Sequence, residues 1–207
     1  MRGLLDRLQQ TLEALYRVDG PARVADFFLP QDHYRALAGQ TVLRREALLV
    51  SSDGEFADIG LYIQDDVLAR ASRFVRDVTH DGIDAFCVAV EGVSHFLYLT
   101  FCGGRLGRPV SRIEMELQAE VDKYVLLKTL LGANDLIDRL YQQVHIDERL
   151  PREEMERYRV ANNQARRYAR WVERAFVRGQ GGVALQDARA LYRKTLASKL
   201  EHIARAA

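Results

Sequence analysis

Cysteine, lysine and long uncharged apolar runs are scarce or missing in this sequence, and each gap narrows what the chain can be. The two cysteines, Cys87 and Cys102, form neither a CxxC redox motif nor a paired zinc-ligand spacing. On one helix they would stand about 22 Å apart, at about 1.5 Å of rise per residue, too far to be bridged. Free, buried thiols imply a reducing compartment. The opening MRGLLDRLQQ is charged at once and lacks the apolar core of a secretory signal, so the expected location is cytoplasmic. No run of about 18 uncharged apolar residues occurs, and no membrane span is expected. Lysine supplies only four of the 30 basic residues, and the net charge is +1. Nothing global therefore points to nucleic acid or to a membrane.

What is present is an uneven charge distribution. Residues 1–150 carry 17 Lys and Arg against 23 Asp and Glu, whereas residues 151–207 carry 13 against 6. This predicts an acidic body, 1–150, followed by a basic helical hairpin, 151–207, packed on it. Leu4, Leu5, Leu8, Leu12, Leu15 and Tyr16 recur at helical spacing up to the stop VDGP. The segment 22–43 reads as a helix end or short strand at VADFFLP, then a short helix closed by Gly39. EALLVSS and EFADIGLYI flank Asp53-Gly54, a dipeptide that accepts the positive φ angles of a tight hairpin turn. Ala57, Ile59, Leu61 and Ile63 alternate onto one face of the second strand. Two strands alone are marginal, so a third strand or a covering helix has to complete the unit. A helix from Val67 to Val78 follows.

Ser111 to Glu114 fits a capping box opening a helix that runs to Gly132. Further helices are expected at 134–146, from Pro151 to about Arg178, and, past GQGG, over Leu185 to Ile203. The fold class is α+β: a small antiparallel sheet around a hairpin, packed by helices, with an all-helical C-terminal half.

The stretch DAFCVAVEGVSHFLYLTFC, 84–102, carries the chemistry. Read as a strand, neither alternate set is consistently apolar. Read as a helix, Phe86, Ala89, Val90, Val93, Leu97 and Phe101 form one stripe, and Cys87, Glu91, Ser94, His95, Tyr98 and Cys102 form another. Glu91 and His95 then sit one turn apart. The next helix offers Glu116 and Glu120 at the same spacing, and the short link FCGGRLGRPV makes the two helices antiparallel neighbours. Carboxylates and an imidazole on facing helices are how helical bundles build metal sites. Glu91, His95, Glu116 and Glu120 are thus the candidate ligands for iron, manganese or zinc. Glu91, His95, Glu120 and Tyr98 are the candidate catalytic groups. The Glu-x-x-x-His spacing departs from the Glu-x-x-His of di-metal bundles, and a purely structural Glu–His hydrogen-bond network is the reading the sequence favours over a metal site.

Other signals are weaker. The glycines around Arg105 match no phosphate-loop pattern, and Asp53, Glu55 and Asp58 read as a solvated turn. Arg159, Arg166, Arg170 and Arg174 line one side of the long helix near Tyr168 and Trp171. They can contact an anion or nucleic acid, or dock on the acidic body. Asn162, within that helix's apolar stripe, suggests a specific helix–helix or dimer contact. The sequence alone favours a cytoplasmic binding or regulatory protein acting through helix-lined surfaces, by self-association or with a protein partner. The competing expectation is a metal-dependent enzyme with its Glu/His centre between 84–102 and 111–131.

Overall fold

A computed structural model describes residues 2–39, 44–53, 57–76, 82–132, 135–142 and 150–206. Helix α1 spans Arg2–Tyr16, α2 Gln31–Ala38, α3 Asp65–Arg76, α4 Gly82–Leu99 and α5 Arg112–Leu131. The back half adds α6 Leu136–Tyr141, α7 Arg152–Val177, α8 Gly181–Tyr192 and α9 Leu196–Ala206. Strands β1 (Glu46–Ser52) and β2 (Ala57–Ile63) pair antiparallel, from Glu46 opposite Ile63 to Ser52 opposite Ala57. The α+β class and the all-helical C-terminal half are as the sequence predicts. Of the expected hairpin turn, Gly54–Phe56 lie outside the described residues, as do Val78, Val144 and His145.

The sheet is completed from both sides. Phe27–Leu29, after a 3-10 turn at Val24–Asp26, bridges β2: Leu29 donates to Leu61 O (2.7 Å) and Leu61 to Phe27 O (2.9 Å). Gly39 closes α2 at φ 58°, the left-handed conformation that suits a glycine helix stop. The expected one-faced alternation of β2 fails at its end, where Gly60 to Ile63 are all buried. Leu61 and Ile63 point into the α4 side, while the Tyr62 ring stacks on Tyr34 of α2 at 4.1 Å. A strand covered on both faces has no polar side to show.

Helix α4 is central. It continues through a π-helical turn at Thr100–Arg105, and it packs against α1, α3, α5 and both strands. By length and composition Gly82–Arg105 is long and apolar enough to cross a membrane, but 78% of its most apolar window is buried inside the fold. Such a helix is apolar because it is surrounded by protein. Gly92 sits in its interior at a cost in helix propensity, and the reason is steric. A Cβ there would come within 2.9 Å of Glu46 Cγ and 3.1 Å of Leu61 and Ile63 Cδ1. The missing side chain lets β1 and β2 lie directly on α4.

One apolar cluster joins both halves of the chain, including Leu5, Phe86, Leu127, Val172, Leu191 and Ile203. The long helix α7 packs on α5. Part of the basic C-terminal excess docks on the N-terminal helix. Arg189 donates to Leu15 O (2.7 Å), and Arg193 to Tyr16 O (3.1 Å) and Arg17 O (2.8 Å). These are the orphan carbonyls at the end of α1, where cations are favoured. The single last helix expected from the sequence is two, broken at Arg193–Thr195. The break brings Lys194 O within reach of Arg108 (3.2 Å) and turns Lys199 inward.

Candidate metal centre

Three elements converge on the Glu91/His95 face of α4. Helix α5 presents Glu116, Glu120 and Lys123, β1 begins with Glu46, and α7 brings Glu154, Arg157 and Tyr158. One helical turn puts Glu91 and His95 on the same face, and about two turns span Glu116 to Lys123 on the facing surface. Gly92, between the two α4 residues, is what admits Glu46 to the cluster.

His95 is the organising group. Only 7% of it is exposed. Its Nδ1 lies 3.4 Å from Glu46 Oε1, a long hydrogen bond. Its Nε2 lies 3.4 Å from Glu116 Oε2 in a geometry that makes no hydrogen bond, and it has no other partner among the described residues. Buried ring nitrogens are normally satisfied. Glu91, His95 and Glu116 each offer one ligand atom, all within 4.8 Å of one another. Ligands about 2.1 Å from a tetrahedral ion stand about 3.4 Å apart, so the His95–Glu116 pair already has that spacing. This Glu/His cluster can hold a metal ion.

Glu120 is drawn to a different partner. Lys123 Nζ donates to Glu120 Oε1 (2.7 Å) and to Glu91 Oε2 (3.1 Å). On the α7 side, Arg157 Nε is 3.6 Å from Glu116 Oε1, and Arg44 makes a two-pronged pair with Glu154 at 2.6 and 3.1 Å. Five carboxylates (Glu46, Glu91, Glu116, Glu120 and Glu154) therefore face three permanent cations, Arg44, Lys123 and Arg157. The adjacent Arg45–Asp84 pair leaves the balance unchanged. With His95 neutral, the cluster is two negative charges in excess.

Without a metal, protons supply the difference. Burial pushes the Glu46 carboxyl above the usual range, only partly opposed by His95. Burial likewise raises Glu120, against the pull of Lys123. For Glu91, burial acts upward, but Lys123 and His95 outweigh it and hold the carboxyl below its usual range. Burial disfavours the charged His95 ring, yet Glu116 and Glu46 raise its pKa well above the ordinary histidine value. Lys123 stays charged for the same reason, Glu120 and Glu91 overcoming its burial. Buried excess carboxylate that must borrow protons is the electrostatic setting a cation would relieve.

The remaining expected site residues go elsewhere. Tyr98 does not serve this cluster: its hydroxyl donates to Glu114 (2.6 Å) and accepts from Arg108 (2.8 Å). Glu114, expected to complete a capping box, is buried with that pair. Ser111 makes its half of the box, accepting from the Glu114 amide at 3.3 Å. Ser94 turns to α5 and donates to Asp122 (2.6 Å), which also accepts from Gln118 (2.6 Å), and Gln118 in turn accepts from Lys199. The polar stripe read off α4 is thus split into three networks. Burial pushes the Cys87 thiol up to about 12, which makes it an inert core residue. Of the arginine stripe, Arg159, Arg170 and Arg174 are exposed and Arg166 is half-buried. Arg159 pairs loosely with Glu156 (4.0 Å), and Arg174 donates to Ala206 O (3.2 Å).

Glu46, Lys123, Arg157 and Tyr158 were not legible as site residues. Tyr158 sits in the combined field of Glu116, Glu91, Glu46 and Glu154, which adds to burial in raising its phenol. Its neighbour Arg157 also lines a groove of about 830 Å³ between the starts of α5 and α7, with Ser111, Arg112, Ile113 and Val160. No protein-family model, no curated protein and no solved structure matches this chain.

Proposed function

We propose that the protein is a metal-dependent enzyme that holds one divalent ion through Glu91, His95 and Glu116. The observation that carries this is the state of His95. Nδ1 leans on a carboxylate, Glu46, while Nε2 faces Glu116 at 3.4 Å and makes no hydrogen bond. A carboxylate behind one ring nitrogen fixes tautomer and orientation so that the other can ligate. The two-charge excess of the cluster equals the charge of one divalent ion. One imidazole and two carboxylates suit zinc, manganese or ferrous iron.

Three protein ligands leave coordination positions for water, as in catalytic rather than structural zinc sites. An ion bound there would lower the pKa of its water and polarise a substrate oxygen, the chemistry of metal-assisted hydrolysis. Glu120, raised by burial and close enough to sense Glu91 and Glu116, is the carboxylate placed to take a proton. Glu46 orients His95, and Arg157 steadies Glu116. These features support the enzyme reading over a purely interaction-based role.

Elemental analysis of untagged protein tests it, with wild type beside His95→Ala and Glu91→Gln. The expected result is close to one equivalent in wild type after dialysis against zinc or manganese, and none in either variant. Wild type that takes up no metal, with both variants melting well below it, would make the cluster a structural network.

A further inference from the structure

The metal reading above leaves one buried cation unexplained. Lys123 is 8% exposed and lies between Glu91 and Glu120 at 3.1 and 2.7 Å. Glu91 is shared: it belongs to the three-residue group with His95 and Glu116, and its Oε2 also accepts from Lys123. In two-ion centres a shared carboxylate sits in the same way between ions about 3.5–4 Å apart. Carboxylates from two facing helices, with histidine, are the donor set of di-metal bundles. Here the donors for a second ion are present, but the place between them is taken by an ammonium.

We infer that Lys123 occupies the second cation position of this cluster, so that the centre takes one divalent ion beside a built-in positive charge and not a pair of ions. The charge balance agrees. With Lys123, Arg44 and Arg157 against five carboxylates, one divalent ion brings the buried cluster to neutrality, and a second would leave it with two uncompensated positive charges, which burial penalises. The ammonium differs from an ion in one respect that matters: it is covalently attached and cannot dissociate. Glu91 and Glu120 therefore stay in place in the metal-free protein, and the first site is preformed.

This inference rests on the metal-centre reading, and metal stoichiometry separates the two. Untagged wild type, Lys123→Gln and Lys123→Arg are dialysed against excess zinc or manganese and their bound metal is measured. Wild type and Lys123→Arg are expected to hold one ion each and Lys123→Gln two. Metal-free Lys123→Gln should melt below wild type and regain stability on loading. One ion in a folded Lys123→Gln, or two in wild type, overturns the inference while leaving the metal centre standing. No ion in wild type sinks the metal reading, and the inference with it. Should Lys123→Gln not fold, Lys123→His fills the same space with a side chain that can itself ligate. It is expected to hold two ions, and a single ion there refutes the inference equally.

Discussion

Replacing Lys199 by methionine should change how stability depends on pH, and the size of the change can be worked from its surroundings. Lys199 is fully buried. Its Nζ donates to Gln118 and lies 4.6 Å over the Tyr98 ring and 5.9 Å from that of Tyr192. Asp122, Glu114, Cys102 and Arg108 are the other titratable groups that act on it. Burial lowers its pKa from 10.5 to about 7, with Asp122 and Glu114 resisting. A group whose native pKa is depressed binds its proton more readily in the unfolded chain. Stability therefore rises with pH between about 7 and 10.5, with a slope of up to about 1.4 kcal/mol per unit. The full difference across that window is on the order of 5 kcal/mol.

Other groups work against this in the same range. Cys87, pushed up to about 12, and Cys102, also raised, keep protons that the unfolded chain loses, so they make stability fall as pH rises. The raw wild-type curve is thus a sum, and the difference from Lys199→Met isolates the lysine. Between pH 7 and 9.5 that difference should move by about 3 kcal/mol in favour of wild type. Urea unfolding read by circular dichroism and by the single tryptophan, Trp171, measures it, provided the two transitions coincide. A difference constant to within about 0.5 kcal/mol would mean that Lys199 keeps its charge when folded, with Asp122 compensating it. The burial reasoning would then be wrong.

The other expectations concern the metal cluster and its neighbours. Glu46→Gln should weaken metal binding about 10–100-fold without abolishing it, since Glu46 orients His95 and does not ligate; calorimetric titration reads this, and unchanged affinity would remove Glu46 from the site. Gly92→Ala touches no ligand but should also weaken binding and cost about 1–2 kcal/mol, because the added methyl displaces Glu46 and the strand residues packed on α4. Tyr98→Phe should leave metal affinity unchanged while lowering stability by about 1–2 kcal/mol, as its hydroxyl serves Glu114. A drop in metal affinity there would return Tyr98 to the centre. Metal affinity should fall with acidification, because a proton on His95 excludes the ion; a flat profile from pH 8 to 5 would show that the imidazole does not ligate.

Much of the site could be read from spacing, because helical period is a local property. Glu91 with His95, and Glu116 with Glu120, follow from i and i+4 placement and from the short loop that makes α4 and α5 neighbours. Glu46 could not be read this way. It opens an edge strand 45 residues before Glu91, and only the packing of β1 over Gly92 delivers it. Lys123 is two helical turns from Glu116 and looks like a surface lysine until Glu91 of the facing helix closes on it. Tyr98 shares the face but stands seven residues, about 10 Å, along α4 from Glu91, so the stripe is too long for all its members to reach one partner, and its hydroxyl meets Glu114 instead.

Apolar periodicity, the capping serine, the glycine stops and the hairpin signal by themselves determined the elements, their order and the fold class, since each depends on a few adjacent residues. Tertiary structure decided how the polar stripe of α4 is divided, sending Glu91 to Lys123 of α5, His95 to Glu46 of β1 and Glu116 of α5, Ser94 to Asp122, and Tyr98 to Glu114. It also decided that the last helix breaks so that Lys199 goes inside. Those choices depend on which charges meet in a low-dielectric interior, where an unpaired one is costly. Such pairings join residues as far apart as Gln118 and Lys199, and no local pattern records them.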